Sequence, residues 1–445
     1  MNICILAAGA GGMYCGSCLR DSTLATALQR LGHEAVLIPL YTPLRTDQPN
    51  ASVGKVFYGG INVYLQYAFG LFRRTPRFLD WLLDRPWLLK WAGQRGAQTS
   101  PASLGPFVLS ILAGDHGPQI KELRRLIEFL REHGRPDVVS LPSALFIGMA
   151  RLIGAELSAP VVCELTGEDI FLDAMNEPYR TRARELICQQ TRYVSRFVAT
   201  SEYYAQRMAR YLRVPPQSID VAHPGVGADV LAAAPGHGVC QRPTVAYLAR
   251  LCPEKGLDRL IEAALLLRQK EGMEKLHVRA AGYLPPGQRD WLDELHRRAA
   301  QAGLDFACAG EVDFAGKLRH LDECDVVCVP AAYAESKGIY VLEALARGRP
   351  VVLPDHGAFT ELVGRTGGGV LCRPGDPQDL AAALHGLLRD PARRRELGAA
   401  GHAAVRGGFT DHHMAQRMLE VYWRAAMNAP PGAAVPQCGP AASAG

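Results

Sequence analysis

No run of about twenty apolar residues occurs in this chain, so the sequence offers no helix that would span a bilayer. An excess of one charge is also lacking. The 49 basic residues face 44 acidic ones, and a net charge of +5 over 445 residues does not call for a nucleic-acid partner. It suits an anionic small ligand and a weak membrane-surface preference equally. Paired metal-ligand spacings are missing too. Cys15 and Cys18 form the only C-x-x-C pair, no second pair stands at zinc-finger distance, and no D-x-D occurs. The glycine-rich opening does not end in the G-K-[ST] of a Walker A loop. The first residues, MNICILAAGAGG, lack the basic start and longer apolar core of a signal peptide. These absences predict a cytoplasmic protein with no metal and no resident cofactor. They also predict that most of the 12 cysteines are reduced core residues, Cys4, Cys163 and Cys328 among them.

What is present is alternation. At 445 residues the chain outgrows a single core, so two domains are expected. Residues 2–8 read as a buried strand, followed by a glycine-rich loop and a helix with Leu24, Leu28 and Leu31 on one face and Gly32 at its end. AVLIPLY, PDVVSL, APVVCEL and SRFVATS read as further strands. The pattern restarts near residue 243 with PTVAYLAR, and KLHVRAAG, CDVVCVP and RPVVLP follow with helices between them. Strand–helix alternation predicts an α/β fold with two Rossmann-like domains whose parallel sheets face each other across a cleft. The expected units are 1–225, with a helical insertion at about 51–131, and 226–410. A helix at 411–427 is expected to pack back toward the first unit, and the Pro/Gly/Ala-rich 428–445 reads as a disordered tail. Within the insertion, residues 64–95 hold Trp81, Trp87 and Trp91 among six basic residues. That mixture reads as a helical insertion lining the acceptor side, or as a peripheral contact with the inner face of a membrane.

Two motifs fall in strand–helix loops, where such sheets bind ligands. The first runs from Glu335 to Glu343, ESKGIYVLE, with a helix beginning near Gly338. Backbone amides of Gly338, Ile339 and Tyr340 would sit at that helix N-terminus and favour an anion such as a diphosphate. Glu343, one turn in, can accept from ribose hydroxyls, and Glu335 can reach a sugar. The plainer reading is a solvated helix with two surface carboxylates. The second motif places Arg250 and Lys255 just after the strand PTVAYLAR. Two cations there would flank a diphosphate and stabilise charge on a departing phosphate more than on the intact donor. The plainer reading is a pair of ordinary surface cations.

Together these segments resemble the family 4 retaining glycosyltransferases, which have the GT-B fold. The likeness covers roughly residues 1–50 and 135–427 and is most specific from 245 to 385, through ESKGIYVLEALARGRPVV, GEVDFAGKL and CDVVCVP. The resemblance implies transfer of a sugar from a nucleotide-diphosphate-sugar co-substrate to a hydroxyl of a carbohydrate, lipid-linked or small-molecule acceptor. Anomeric configuration would be retained, no metal would be used, and a role in cell-envelope or polysaccharide synthesis would fit. By the same resemblance Arg250 and Lys255 hold the diphosphate, Glu335 the donor sugar and Glu343 the ribose. Gly338, Ile339 and Tyr340 give amides, and Val312 lies against the base. The family's first glycine loop corresponds to GAGGMYCGSCLRD, where Gly16, and less directly Gly12, would let the backbone approach the donor.

The chain departs from the family at three points. Thr166 stands in VVCELTGED where many members carry a histidine, and Thr166, Glu168 and Asp169 are the acceptor-side candidates. Glu168 and Asp169 also fit a helix-start role. Lys337 replaces the usual phenylalanine, as a surface lysine or as an extra phosphate contact. HPGVGAD, from His223 to Asp229, replaces an N-G-V-D-like turn. Two rival readings share the architecture: a nucleotide-sugar epimerase, and a nucleotide-sugar-binding protein without catalysis.

Overall fold

The computed structural model describes residues 1–9, 16–46, 104–232 and 240–427. Gly12, residues 64–95 and the tail 428–445 lie outside the described residues, as does the insertion up to residue 103.

Among the described residues, twelve strands form two six-stranded sheets, parallel throughout. The first has the order β2-β1-β3-β4-β5-β6, from β1 (Asn2–Ala7), β2 (Glu34–Pro39), β3 (Val138–Leu141), β4 (Val161–Leu165), β5 (Arg196–Ala199) and β6 (Ile219–Val221). The second has the order β12-β11-β10-β7-β8-β9, from β7 (Thr244–Leu248), β8 (His277–Ala281), β9 (Asp305–Cys308), β10 (Val326–Cys328), β11 (Val351–Pro354) and β12 (Gly369–Cys372). The inner strands β3, β4, β7 and β10 are mostly apolar and buried along their whole length because helices cover both of their faces. Cys4, Cys163 and Cys328 sit fully inside this way on β1, β4 and β10.

The helices that bear on the site are α1 (Gly16–Arg30), α2 (Glu168–Asp173), α3 (Glu202–Leu212), α4 (Leu257–Arg268), α5 (Phe314–Asp322), α6 (Ile339–Ala346), α7 (Ala358–Thr366) and α8 (Asp411–Met427). Each sheet reverses its winding once. In the first the reversal lies between β1 and β3, and in the second between β7 and β10. A crevice opens outside the carboxyl ends of the strands at such points. The chain segments that leave β1, β7 and β10 are those that carry Gly16, the Arg250–Lys255 pair and Glu335.

Two segments cross between the sheets. Val226 forms a parallel bridge with Thr410, its N–H donates to Phe409 O at 2.8 Å, and Asp411 N–H donates back to Val226 O at 3.0 Å. Beyond that crossing, α8 lies on the first sheet. Met414, Met418, Val421 and Tyr422 join Ile3, Ile5, Leu24, Leu28 and Val162 in one buried cluster. Arg20 of α1 is enclosed beneath it, paired with Glu164 and Asp21, and Ser140 Oγ donates to Glu164 at 3.1 Å. Among the described residues no helix is long and apolar enough to cross a membrane.

Candidate active site

The loop after β7 turns sharply at Gly256, whose φ of +76° caps the turn Pro253–Lys255 and starts α4. A Cβ at Gly256 would collide with Pro330 O, so this loop lies directly against the end of β10. That contact sets Lys255 beside Glu335. Their ammonium and carboxylate are in direct contact, and Tyr340 OH donates to Glu335 Oε2 at 3.1 Å. Lys255 Nζ also lies 5.0 Å from the Tyr333 ring centroid and 5.3 Å from that of Tyr340.

Both charges are buried, which alone would neutralise them. Burial pushes the Glu335 carboxyl up, but Lys255 outweighs it, helped by Lys337 and the Tyr340 hydroxyl, and Glu335 ends below the usual carboxylate range. Burial likewise pushes Lys255 down, and Glu335 and Tyr333 reverse this, so its pKa is raised. The pair is therefore ionised across the physiological range. Arg250 stays exposed, with its guanidinium in the field of Tyr333 and Glu335. Three of the sequence candidates thus meet around one tyrosine that the motif reading did not single out.

Gly338 is the N-cap of α6, and its φ of +69° turns the chain out of the Glu335 loop into the helix. The first amides of α6 have no partners within the helix. Glu343, one turn further, is buried and accepts from Lys317 Nζ of α5 at 2.6 Å. It lines a small pocket with Ile339, Thr23 and the Gly225–Gly227 turn. Gly16, at the start of α1, faces the start of α6, where a Cβ would lie 3.7 Å from Ile339 Cδ1. Val312, between β9 and α5, is partly buried against the second sheet's core. Lys317 was not a sequence candidate, although it lies in the quoted GEVDFAGKL. Its signal was faint, because a lysine on an exposed-looking helix is ordinarily solvated.

The acceptor-side candidates separate. Glu168 is buried, and its carboxylate accepts from the N–H groups of Ala144 (3.1 Å), Thr166 (2.8 Å) and Gly167 (3.0 Å). Burial raises its pKa against those donors. Asp169 accepts from Tyr204 OH at 2.7 Å and pairs with Arg207. Both carboxylates have these partners inside the first half, at the start of α2, as the helix-start reading expects. Thr166 Oγ1 donates to Pro142 O at 3.3 Å within the first half. Its carbonyl accepts from Ser336 Oγ at 3.2 Å and Lys337 Nζ at 3.1 Å, both of the second half.

Comparison with known proteins matches both halves. A model described as "Glycosyltransferase Family 4" covers residues 22–230, and one described as "Glycosyl transferases group 1" covers 239–403. The chain is 32% identical over 244 residues to a D-inositol 3-phosphate glycosyltransferase of Nocardia farcinica, covering 51% of this chain and 52% of that one. It is 35% identical over 203 residues to a phosphatidyl-myo-inositol mannosyltransferase of Mycobacterium leprae, covering 44% and 51%. The matches thus span about half the length of these curated relatives. Among solved structures, the UDP complex of Anabaena Alr3699/HepE superposes with a TM-score of 0.64 at 18% identity, covering 95% of this chain and 99% of that one. The sucrose-phosphate synthase of Thermosynechococcus elongatus gives 0.65 at 17%, covering 95% and 98%. With both halves matched in sequence and the pair of facing sheets matched in space, the chain belongs to glycosyltransferase family 4 and has the GT-B fold.

Proposed function

We propose that this glycosyltransferase takes its sugar from a nucleotide-diphosphate-sugar, passes it to an acceptor hydroxyl with retained configuration, and uses side-chain cations in place of a metal ion. The observation that carries this reading is the ionised Lys255–Glu335 pair at the reversal point of the second sheet, with Arg250 beside it and the start of α6 following. In this reading Arg250, Lys255 and the first amides of α6 grip the diphosphate. Their charge counts for more as the phosphate departs, which lowers the barrier rather than merely tightening binding. Glu335 holds the donor sugar and Glu343, kept in place by Lys317, the ribose. The acceptor enters beside Thr166, and its proton passes to the leaving phosphate oxygen on the same face.

The names of the relatives support an inositol-containing or other polyol acceptor, and the UDP held by the Anabaena structure supports a nucleotide diphosphate leaving group. A thermal-shift panel of UDP- and GDP-sugars tests the donor. The right one at a hundredfold excess over its Kd adds about 2.7 kcal/mol to stability. Release of nucleoside diphosphate by wild type, lost in Arg250→Ala and Glu335→Gln, is the expected result. Full activity in both variants would remove the assignment.

A further inference from the structure

Glu335 is followed by two residues that leave their own half of the molecule. The carbonyl of Ser336 accepts from Thr200 Oγ1 and from Ser201 Oγ, each at 2.9 Å. Ser336 Oγ donates to Thr166 O at 3.2 Å. Lys337 Nζ donates to Ser17 Oγ at 2.5 Å and to Thr166 O at 3.1 Å. Five hydrogen bonds thus run from these two residues to three places in the first half: the start of α1, the loop after β4 and the loop after β5. Ser336, Thr200 and Ser201 are each 2% exposed, so this is a sealed contact rather than a wet rim.

The other flank of Glu335 is fastened as well. Ala358 N–H donates to Glu335 O at 2.8 Å, and a Cβ on Gly357 would lie 2.6 Å from Glu335 N and O. Helix α7, which begins there, is itself tied across the cleft. Glu361 accepts from Tyr203 N–H at 3.1 Å and lies 2.6 Å from His223 Nε2. The first half thus holds the backbone around Glu335 directly at Ser336 and Lys337, and through α7 on the other flank.

We propose that Ser336 and Lys337 are positioning residues that make the placement of Glu335 depend on contact between the two halves. The inference rests on reading Glu335 as the donor-sugar acid. The donor's diphosphate is gripped by Arg250, Lys255 and α6, all of the second half, so that part of donor binding, the larger share, does not need this contact. Transfer does, because Glu335 reaches its working geometry only when the loops after β4 and β5 dock on Ser336. A displacement of about 1 Å at such a group costs on the order of a hundredfold in rate.

Thr200→Val and Lys337→Met test it. Thr200 is a first-half residue with no place in the donor grip, and the valine keeps its shape. Acceptor-free release of nucleoside diphosphate is followed with UDP-glucose, UDP-N-acetylglucosamine and GDP-mannose, using the donor that wild type turns over. The expected result is a fall in kcat of about tenfold or more in each variant, with donor KM within about threefold and the melting temperature kept. Lys337→Arg recovers most of the rate, and the double variant loses less than the product of the two single losses. Two results overturn the inference: kcat within about twofold of wild type in both single variants, or a loss of donor affinity in Lys337→Met that accounts for its whole defect, which would make Lys337 a donor ligand. If wild type turns over none of the three donors, the functional reading is what has failed. Small-angle scattering then decides the docking by itself. An unchanged radius of gyration in both variants overturns it, and an increase sustains it.

Discussion

Charge in the cleft comes as matched buried pairs, Lys255 with Glu335 and Lys317 with Glu343. A buried pair contributes little net stability, but removing one partner strands the other. Lys255→Ala is therefore expected to lose about 3–5 kcal/mol in urea unfolding as well as turnover, whereas Lys255→Met combined with Glu335→Gln regains most of the stability and none of the turnover. His320 makes a different prediction. Burial, with Arg279 adding to it, lowers its pKa to about 4 from the ordinary histidine value of 6.5, and its Nε2 lies 3.1 Å from Tyr247 O. Between those values the unfolded chain takes up a proton that the folded chain refuses, so stability falls as pH drops from 6.5 toward 4, by about 3 kcal/mol in all. His320→Gln should flatten that part of the pH–stability curve relative to wild type. At this scale the sequence was legible where a motif fixes spacing, as for Arg250, Lys255, Glu335 and Glu343. Tyr333 and Lys317 were not legible, because they reach these residues only through the fold.

Among the elements, the loops after β7 and β10 meet at a point with no room for a side chain. Gly256 combines a positive φ with backbone contact to Pro330. Gly256→Ala is expected to cost at least about 2 kcal/mol and to lower activity further, since it pushes Lys255 away from Glu335; denaturation and turnover measured together would show both. The same scale shows what patterning does and does not reveal. β1, β3, β4, β7 and β10 are inner strands, largely apolar and almost wholly buried, and stand out in the sequence. β6, β9 and β12 were not read as strands. Each is an edge strand of three or four residues, and IDV, DFAC and GVLC offer too few apolar positions to break the surrounding helix and loop patterns. Helix α1 starts at Gly16, three residues before the leucine-led pattern announces it, because only Cys18 among its first three residues joins the core.

At the scale of the whole molecule, the two sheets and their reversal points follow from the alternation of strands and helices, while the contacts that join the halves do not. The pairing of Arg45 with Glu311 at 3.1 Å and of His223 with Glu361 links residues far apart in the chain, and no local pattern marks them. The return of α8 has the largest energetic effect. Met414, Met418, Val421 and Tyr422 each contribute roughly 1.5–3 kcal/mol by burial, a sum comparable to the whole stability of a typical domain. Ending the chain at residue 410 should therefore leave the first half unable to fold, with an apolar sheet face open and Arg20 uncovered; loss of soluble protein on expression would bear this out. During synthesis the same feature imposes an order. The ribosome delivers β1 to β6 first, yet the last piece of their cover emerges only after every strand of the second sheet. The amino-terminal half must wait, partly bare, until the carboxyl-terminal half has been made.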